Sequence, residues 1–334
     1  MKRTAHMIHL MVGFLITILA VDVWAGELEV RDAIYADTIE LYKAKDFATL
    51  EKRAEHYRES EEKTSSGTWK LAHFYRAFTN LFDENIRSRA FWGEQLAMSD
   101  EWVAAYPKSP TPYIVHAMAI HGEAGSHRGT GWASSVPKEN WAPYKEGSRN
   151  ALRYLREHSD IASRDPHWYN TLSNVHKSLG TDKKTYWADI SEGLRKFPYY
   201  NQIYFAAATF FAPIWHGSPE DIQWLAQEAV KRTKDKLGYA MYARTYWATP
   251  ADRYGRLLLL YPPADWDLIK AGMDDVLRDY PDQWNINNFA YFACSKGDAP
   301  KAKELMSKVI EPPNATAWHG AKNYYQCKTA LQNL

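Results

Sequence analysis

The sequence predicts an all-α protein built as a stack of antiparallel helix pairs, and three observations carry that expectation. Apolar residues recur at helical spacing along the chain, while no segment alternates apolar and polar residues long enough for a strand. Helix-capping signals separate the amphipathic stretches. Glycine turns and X-Pro steps alternate at intervals close to those of a two-helix repeat.

The N-terminus comes first. Lys2 and Arg3 precede an apolar run from about Met7 to Val21, and Val23-Trp24-Ala25 offers small or branched side chains where a signal peptidase reads them. Gly13, Thr17 and Asp22 interrupt the run, leaving it shorter than the roughly 20 residues a membrane span needs. Residues 1–25 therefore read as a cleaved signal peptide rather than a retained anchor, and residues 26–334 as a single periplasmic or secreted helical-repeat domain. No membrane span is expected after cleavage.

Five X-Pro steps punctuate that domain: Tyr106-Pro107, Asp165-Pro166, Phe197-Pro198, Tyr280-Pro281 and Glu311-Pro312. Each closes an amphipathic stretch, because proline cannot continue a helix but fits near the first turn of the next. An aromatic follows each within six residues: Tyr113, Trp168, Tyr199, Trp284 and Trp318. Pro166 and Pro198 are 32 residues apart, and Trp284 and Trp318 are 34 apart, the period of tetratricopeptide repeats. The clearest copy occupies the C-terminal part, 281–334. The interval from Pro107 to Pro166 is longer and holds the least regular stretch, about Gly122 to Val136.

Between these steps lie turns. Gly180-Thr181-Asp182 and Gly297-Asp298 read as a left-handed stop followed by a cap. Gly217-Ser218-Pro219-Glu220-Asp221 reads the same way, with Ser218 as cap, Pro219 in the first turn and Asp221 completing a box. Thr249-Pro250-Ala251-Asp252 repeats the start signal. Three stripes then demand a buried face: Ile222, Leu225, Ala226, Ala229 and Val230; Ile269, Met273, Val276, Leu277 and Tyr280; and Ala302, Leu305, Met306, Val309 and Ile310. About fourteen helices are expected in all. In such a stack the first helices of the pairs line a concave surface. The alternative architecture is a closed α/α toroid.

Composition narrows the function classes. Of 41 basic and 40 acidic residues, Lys2, Arg3 and Asp22 lie in the signal, so the remainder carries no formal net charge. A nucleic-acid binder would show basic excess, and none is expected as a partner. Fourteen Trp and 22 Tyr are enough either to fill the cores between helices or to line a groove. Cys294 and Cys327 are the two cysteines; in an oxidising compartment they form a candidate disulfide between neighbouring C-terminal helices, provided their Cα atoms lie within about 7 Å.

The stretch from Phe91 to Lys234 also resembles a known family. Trp102 with Tyr106-Pro107-Lys108-Ser109-Pro110, Arg128-Gly129 with Trp132 and Trp141, Asp165-Pro166 with Trp168, Pro198-Tyr199-Tyr200, and Pro213-Ile214-Trp215-His216-Gly217-Ser218-Pro219 are similar to motifs of the domain of unknown function 4034 family. Family members often carry a basic residue in place of Ile214 and a glycine in place of His216. The resemblance covers roughly residues 91–234 and implies a tetratricopeptide-like fold, a right-handed stack of helix pairs. It supplies no activity, substrate or catalytic residue.

Candidate site residues lie in or near the irregular stretch, with Trp215 apart from the rest. His116 and His121 are weak metal candidates, because ligands five apart fall on different sides of a helix, and no His-Glu-x-x-His is present. No metal or other cofactor is expected. Arg128 in Arg128-Gly129-Thr130-Gly131-Trp132 has the fork that holds a carboxylate or phosphate, with His127 beside it. Trp132, Trp141 and Trp215 are candidates to stack on a ligand. The competing reading has Arg128 pairing with a carboxylate to pin its loop while the three tryptophans pack inward. No catalytic residue is assigned. The expected function is an exported interaction protein binding a peptide, protein segment or envelope polymer on a concave aromatic surface. The alternatives are a carbohydrate- or peptidoglycan-active enzyme on a helical toroid, and an immunity-type protein that binds a toxic effector.

Overall fold

A computed structural model describes residues 26–249 and 263–333. The expected signal peptide, and the Pro250-Ala251-Asp252 part of one start signal, lie outside the described residues. Within them the chain forms sixteen α-helices, two short 3-10 turns and no strand. Glu27–Lys43 (α1) pairs with Phe47–Ser60 (α2), Lys70–Glu84 (α3) with Arg89–Ala105 (α4), and Pro110–Arg128 (α5) with Trp141–Glu157 (α6). After the one-turn helix Ser159–Ala162 (α7), His167–Leu179 (α8) pairs with Lys183–Lys196 (α9), and Asn201–Phe211 (α10) with Pro219–Leu237 (α11). Ala240–Ala248 (α12) is followed by Trp266–Asp279 (α13), Gln283–Lys296 (α14) by Ala299–Met306 (α15), and Ala321–Gln332 (α16) ends the described chain. Neighbouring pairs pack in sequence, so the protein is a helical repeat stack. The expected count of about fourteen omitted short elements such as α7, four residues in which apolar periodicity cannot register.

The punctuation acts largely as its chemistry dictates. Gly180 and Gly297 end α8 and α14 in the left-handed region, at φ of 69° and 76°. Asp182, Ser218 and Asp298 accept hydrogen bonds from the backbone N–H of Thr185, Asp221 and Lys301. Each such cap stabilises its helix by about 1 kcal/mol. Gly217 departs from expectation: it does not adopt positive φ. A Cβ there would lie 1.9 Å from the Phe211 carbonyl oxygen, so close backbone approach is what excludes a side chain. Asp221 does not complete a capping box either; its carboxylate takes Lys183 at 2.6 Å.

Two other expectations need correction. The stretch from Gly122 to Val136 is irregular only from Gly129 on, because α5 runs on to Arg128. Gly122 is a packing glycine within that helix: a Cβ would fall 2.4 Å from the Trp92 ring. The stripe Ala302, Leu305, Met306, Val309 and Ile310 outruns its helix, for α15 stops at Met306 and Ile310 is exposed. The stripe on α11 does bury Ile222, Leu225, Ala226 and Ala229. A fully buried Leu or Ile contributes about 1.5–3 kcal/mol.

Most of the aromatic wealth lies between helices. Trp102 is fully buried and stacks on Phe47 at 5.3 Å, Tyr186 stacks on Phe210, and Trp318 is fully buried beside Tyr324. The Cys294–Cys327 disulfide joins α14 to α16, with Cα atoms 6.0 Å apart.

Two buried polar networks fasten distant pairs. Asp165, fully buried, accepts from Arg58 Nε at 2.8 Å, from the Tyr75 hydroxyl at 2.7 Å and from the His167 backbone N–H at 2.8 Å, tying α2, α3 and α8 together. Glu27 on α1 accepts from Arg31 Nε at 2.5 Å, from the Thr64, Ser65 and Ser66 hydroxyls and from the Ser66 N–H. The Ser66 carbonyl in turn accepts from Arg244 Nη2 on α12 and Asn285 Nδ2 on α14. The loop between α2 and α3 thus brings the first pair against the late helices, and the Arg31 guanidinium lies 5.0 Å from the Trp284 ring centroid.

Candidate binding site

The stack holds a cavity of about 870 Å³. Its wall comes chiefly from first helices of the pairs: Arg31 and Tyr35 on α1, His73, Arg76 and Asp83 on α3, His121 and Arg128 on α5, Asn170, Asn174 and Lys177 on α8, and Gln202 and Thr209 on α10. These positions recur every three, four or seven residues, because an inner helix needs one apolar stripe for its neighbours and keeps another face for the hollow. Helix α3 shows the division clearly. Leu71, Phe74, Tyr75 and Phe78 are buried in the core, while His73, Arg76 and Asp83 line the cavity.

Electrostatics give the site its character. Four cationic side chains, Arg31, Arg76, Arg128 and Lys177, line the cavity against one carboxylate, Asp83, among the described residues. Arg31 is already taken by Glu27 at 2.5 Å, which leaves three cations facing one carboxylate. Burial raises Asp83 above the usual carboxylate range, although Arg76 and Lys177 pull the other way. Burial lowers the Lys177 amine to about 8, and Arg128 adds to that shift. The same cause holds His73 at about 3 and His121 and His167 at about 4, so all three rings are neutral near pH 7. The Lys177 ammonium sits 4.8 Å from the centroid of the Trp215 ring. His121 Nε2 shares a 2.8 Å hydrogen bond with the Ser178 hydroxyl, and Lys145 Nζ donates to the Ser178 carbonyl.

The residues singled out from sequence divide. Arg128 and Trp215 reach the cavity together with His121. Arg128 Nη1 also donates to the carbonyls of Gly129 and Gly131, at 2.9 and 3.0 Å, so its loop is pinned through the backbone and not through a carboxylate. Its guanidinium lies 6.0 Å from the centroid of Trp141, which packs against Tyr144 and does not itself line the cavity. Trp132 is 73% exposed, neither in the core nor on the cavity wall. His127 pairs with Glu123 at 3.2 Å on the same helix, away from the cavity lining. His116 shares a hydrogen bond with the Ser99 hydroxyl and packs on Tyr154. Among the described residues no group of three or more His, Cys, Asp or Glu is placed to hold a metal ion.

Sequence reading missed Arg76, Asp83, Asn170, Asn174 and Lys177. The available signal was a second, polar stripe on helices whose opposite face is apolar: Asn170, Asn174 and Lys177 fall at i, i+4 and i+7. None of the described helices is long and apolar enough to cross a membrane. No family model matches the chain, and neither a curated protein nor a solved structure matches it.

Proposed function

We propose that this protein is an exported binding protein whose concave cavity takes an acidic segment of a peptide, protein or envelope polymer. The observation that carries the reading is the excess of Arg76, Arg128 and Lys177 over Asp83 around one large hollow. Cations in a recess of low dielectric draw anions more strongly than the same charges on an open surface. Tyr35, Tyr144 and Trp215 offer aromatic surface beside them, and Asn170, Asn174 and Gln202 offer amides. The surface is therefore as much cationic as aromatic. The Cys294–Cys327 disulfide supports an oxidising compartment and hence export. Kinship with the domain of unknown function 4034 family over roughly residues 91–234 belongs to the same proposal and rests on the motifs quoted above. Glycoside hydrolysis uses two carboxylates, and the described cavity lining supplies one, so the enzyme alternative is not favoured.

The test is calorimetric titration of residues 26–334 with hexaglutamate, hexaserine and hexalysine at two salt concentrations. Hexaglutamate should bind alone, and more weakly at high salt. Arg76→Ala and Lys177→Ala should each weaken it roughly tenfold, since a hydrogen bond to a charged group contributes about 1.5–3 kcal/mol. Equal binding of the neutral or basic peptide would overturn the reading.

A further inference from the structure

Lys177 differs from other lysines that have a hydrogen-bonded partner in this fold. Lys145 donates to the Ser178 carbonyl, Lys301 holds Asp274 and Glu304, and Lys183 holds Asp221. The Lys177 amine has no hydrogen bond to a described residue; it lies over the Trp215 ring, on the wall of the large cavity. Its backbone is fixed, because the Lys177 carbonyl shares a 2.8 Å hydrogen bond with His216 Nε2. Around it stand Arg76 and Asp83 from α3, His121 and Arg128 from α5, and Tyr144 and Lys145 from α6.

We propose that Lys177 is a reactive amine that condenses reversibly with an anionic aldehyde or ketone held in the cavity. The inference rests on the anion-binding reading, because Arg76 and Arg128 are what would place the anionic group. The amine needs its lone pair, and it has it: with a pKa of about 8, about a quarter of Lys177 is neutral at pH 7.5, against about one part in a thousand for an ordinary lysine. In the reaction the amine nitrogen bonds to the carbonyl carbon to give a carbinolamine. The carbon–oxygen bond then breaks and water leaves, which gives the C=N bond; no electrons are gained or lost overall. Loss of water needs a proton on the departing hydroxyl. Solvent water on the open side of the cavity supplies that proton.

The experiment uses pyridoxal 5′-phosphate, an anionic aldehyde, with borohydride to reduce any imine, followed by peptide mapping of residues 26–334. Lys177 should be labelled at least tenfold faster than any other lysine, with a rate that rises through about pH 8. Hexaglutamate should protect it, and Arg128→Gln, with its helical circular dichroism unchanged, should slow it. Lys177→Arg should abolish labelling of that peptide alone. Label spread over lysines in proportion to exposure, or a rate that climbs only near pH 10, would overturn the proposal. If hexaglutamate still binds by calorimetry while Lys177 is not preferred, the imine chemistry fails and the anion-binding reading stands; if neither occurs, both fail.

Discussion

Replacing Asp165 by asparagine should be among the most damaging single changes the fold can suffer. The carboxylate is fully buried and accepts three hydrogen bonds, from Arg58, Tyr75 and the His167 N–H. Asparagine keeps the volume but removes the charge, and whichever way its amide turns, the Nδ2 group meets N–H or O–H donors. The Arg58 guanidinium, with a side chain 18% exposed, then loses its counter-charge, while its bond to the Thr111 hydroxyl remains. Breaking a buried pair in this way costs about 3–5 kcal/mol. At about 2 °C per kcal/mol for a domain of this size, the midpoint of thermal unfolding should fall by roughly 6–10 °C. A second variant separates cause from coincidence. Arg58→Met combined with Asp165→Asn leaves no unpaired cation, so it should recover part of the loss, and the double-mutant cycle should report a coupling of about 1–3 kcal/mol. Scanning calorimetry of the four proteins decides it. A fall of less than 2 °C for Asp165→Asn, or strict additivity in the cycle, would refute the view that this network fastens α2 and α3 to α8.

Other perturbations give equally definite readings. His73, His121 and His167 titrate lower in the fold than in the unfolded chain, so their contribution to stability is whole above about pH 6.5 and falls as pH drops toward 4. Between those limits unfolding should take up nearly three extra protons, which urea titrations at pH 7 and pH 5 would report as a loss of several kcal/mol. For Glu27, burial raises the carboxyl but Arg31 and the Ser66 and Thr64 hydrogen bonds outweigh it, so the net shift is downward. Its contribution is present above the ordinary carboxylate value and is lost as pH falls through the lowered one. Glu27→Gln should therefore flatten the steepest acid part of the stability curve while lowering stability at pH 7. Removing the disulfide by Cys294→Ala with Cys327→Ala opens a loop of 33 residues' separation and should cost about 3–4 kcal/mol by the chain-entropy account, read as a lower urea midpoint. Gly217→Ala should destabilise by about 1–3 kcal/mol, because the new methyl meets the Phe211 backbone oxygen, which cannot swing aside.

The parts of the fold legible in sequence are those set by local chemistry. Asp182, Ser218 and Asp298 cap because a short acceptor side chain faces unsatisfied N–H groups, a matter of three residues. The α11 stripe buries because its spacing matches the helix. Legibility ended where a residue answers to something remote in the chain. Gly122 looks like a loop residue until Trp92 is placed against it, and Gly217 looks like a left-handed stop until the Phe211 carbonyl arrives. Val309 and Ile310 keep helical spacing after the helix has stopped, since periodicity carries no information about where hydrogen bonding ends.

The candidate site obeys the same division. Arg128 stood out because glycines surround it, yet those glycines explain its bonds to Gly129 and Gly131 rather than its place on the cavity wall. Arg76, Asp83 and Lys177 had no local mark. They lie on two helices, with Lys177 on α8 94 positions after Asp83 and 101 after Arg76 on α3, and only the packing of the helices brings them to one hollow. That arrangement also separates the work of the buried ions from that of the cavity. Asp165 and Glu27 spend their charge inside networks that fasten helices distant in the chain, and Arg31 is bound into one of them. The cations left over face the hollow with one carboxylate between them. A fold that needed those charges for its own cohesion would pair them as it pairs Arg58 and Arg31. Arg76 and Lys177 have no hydrogen-bonded partner among the described residues, and a recess lined by such groups is suited to a ligand that brings the missing negative charge.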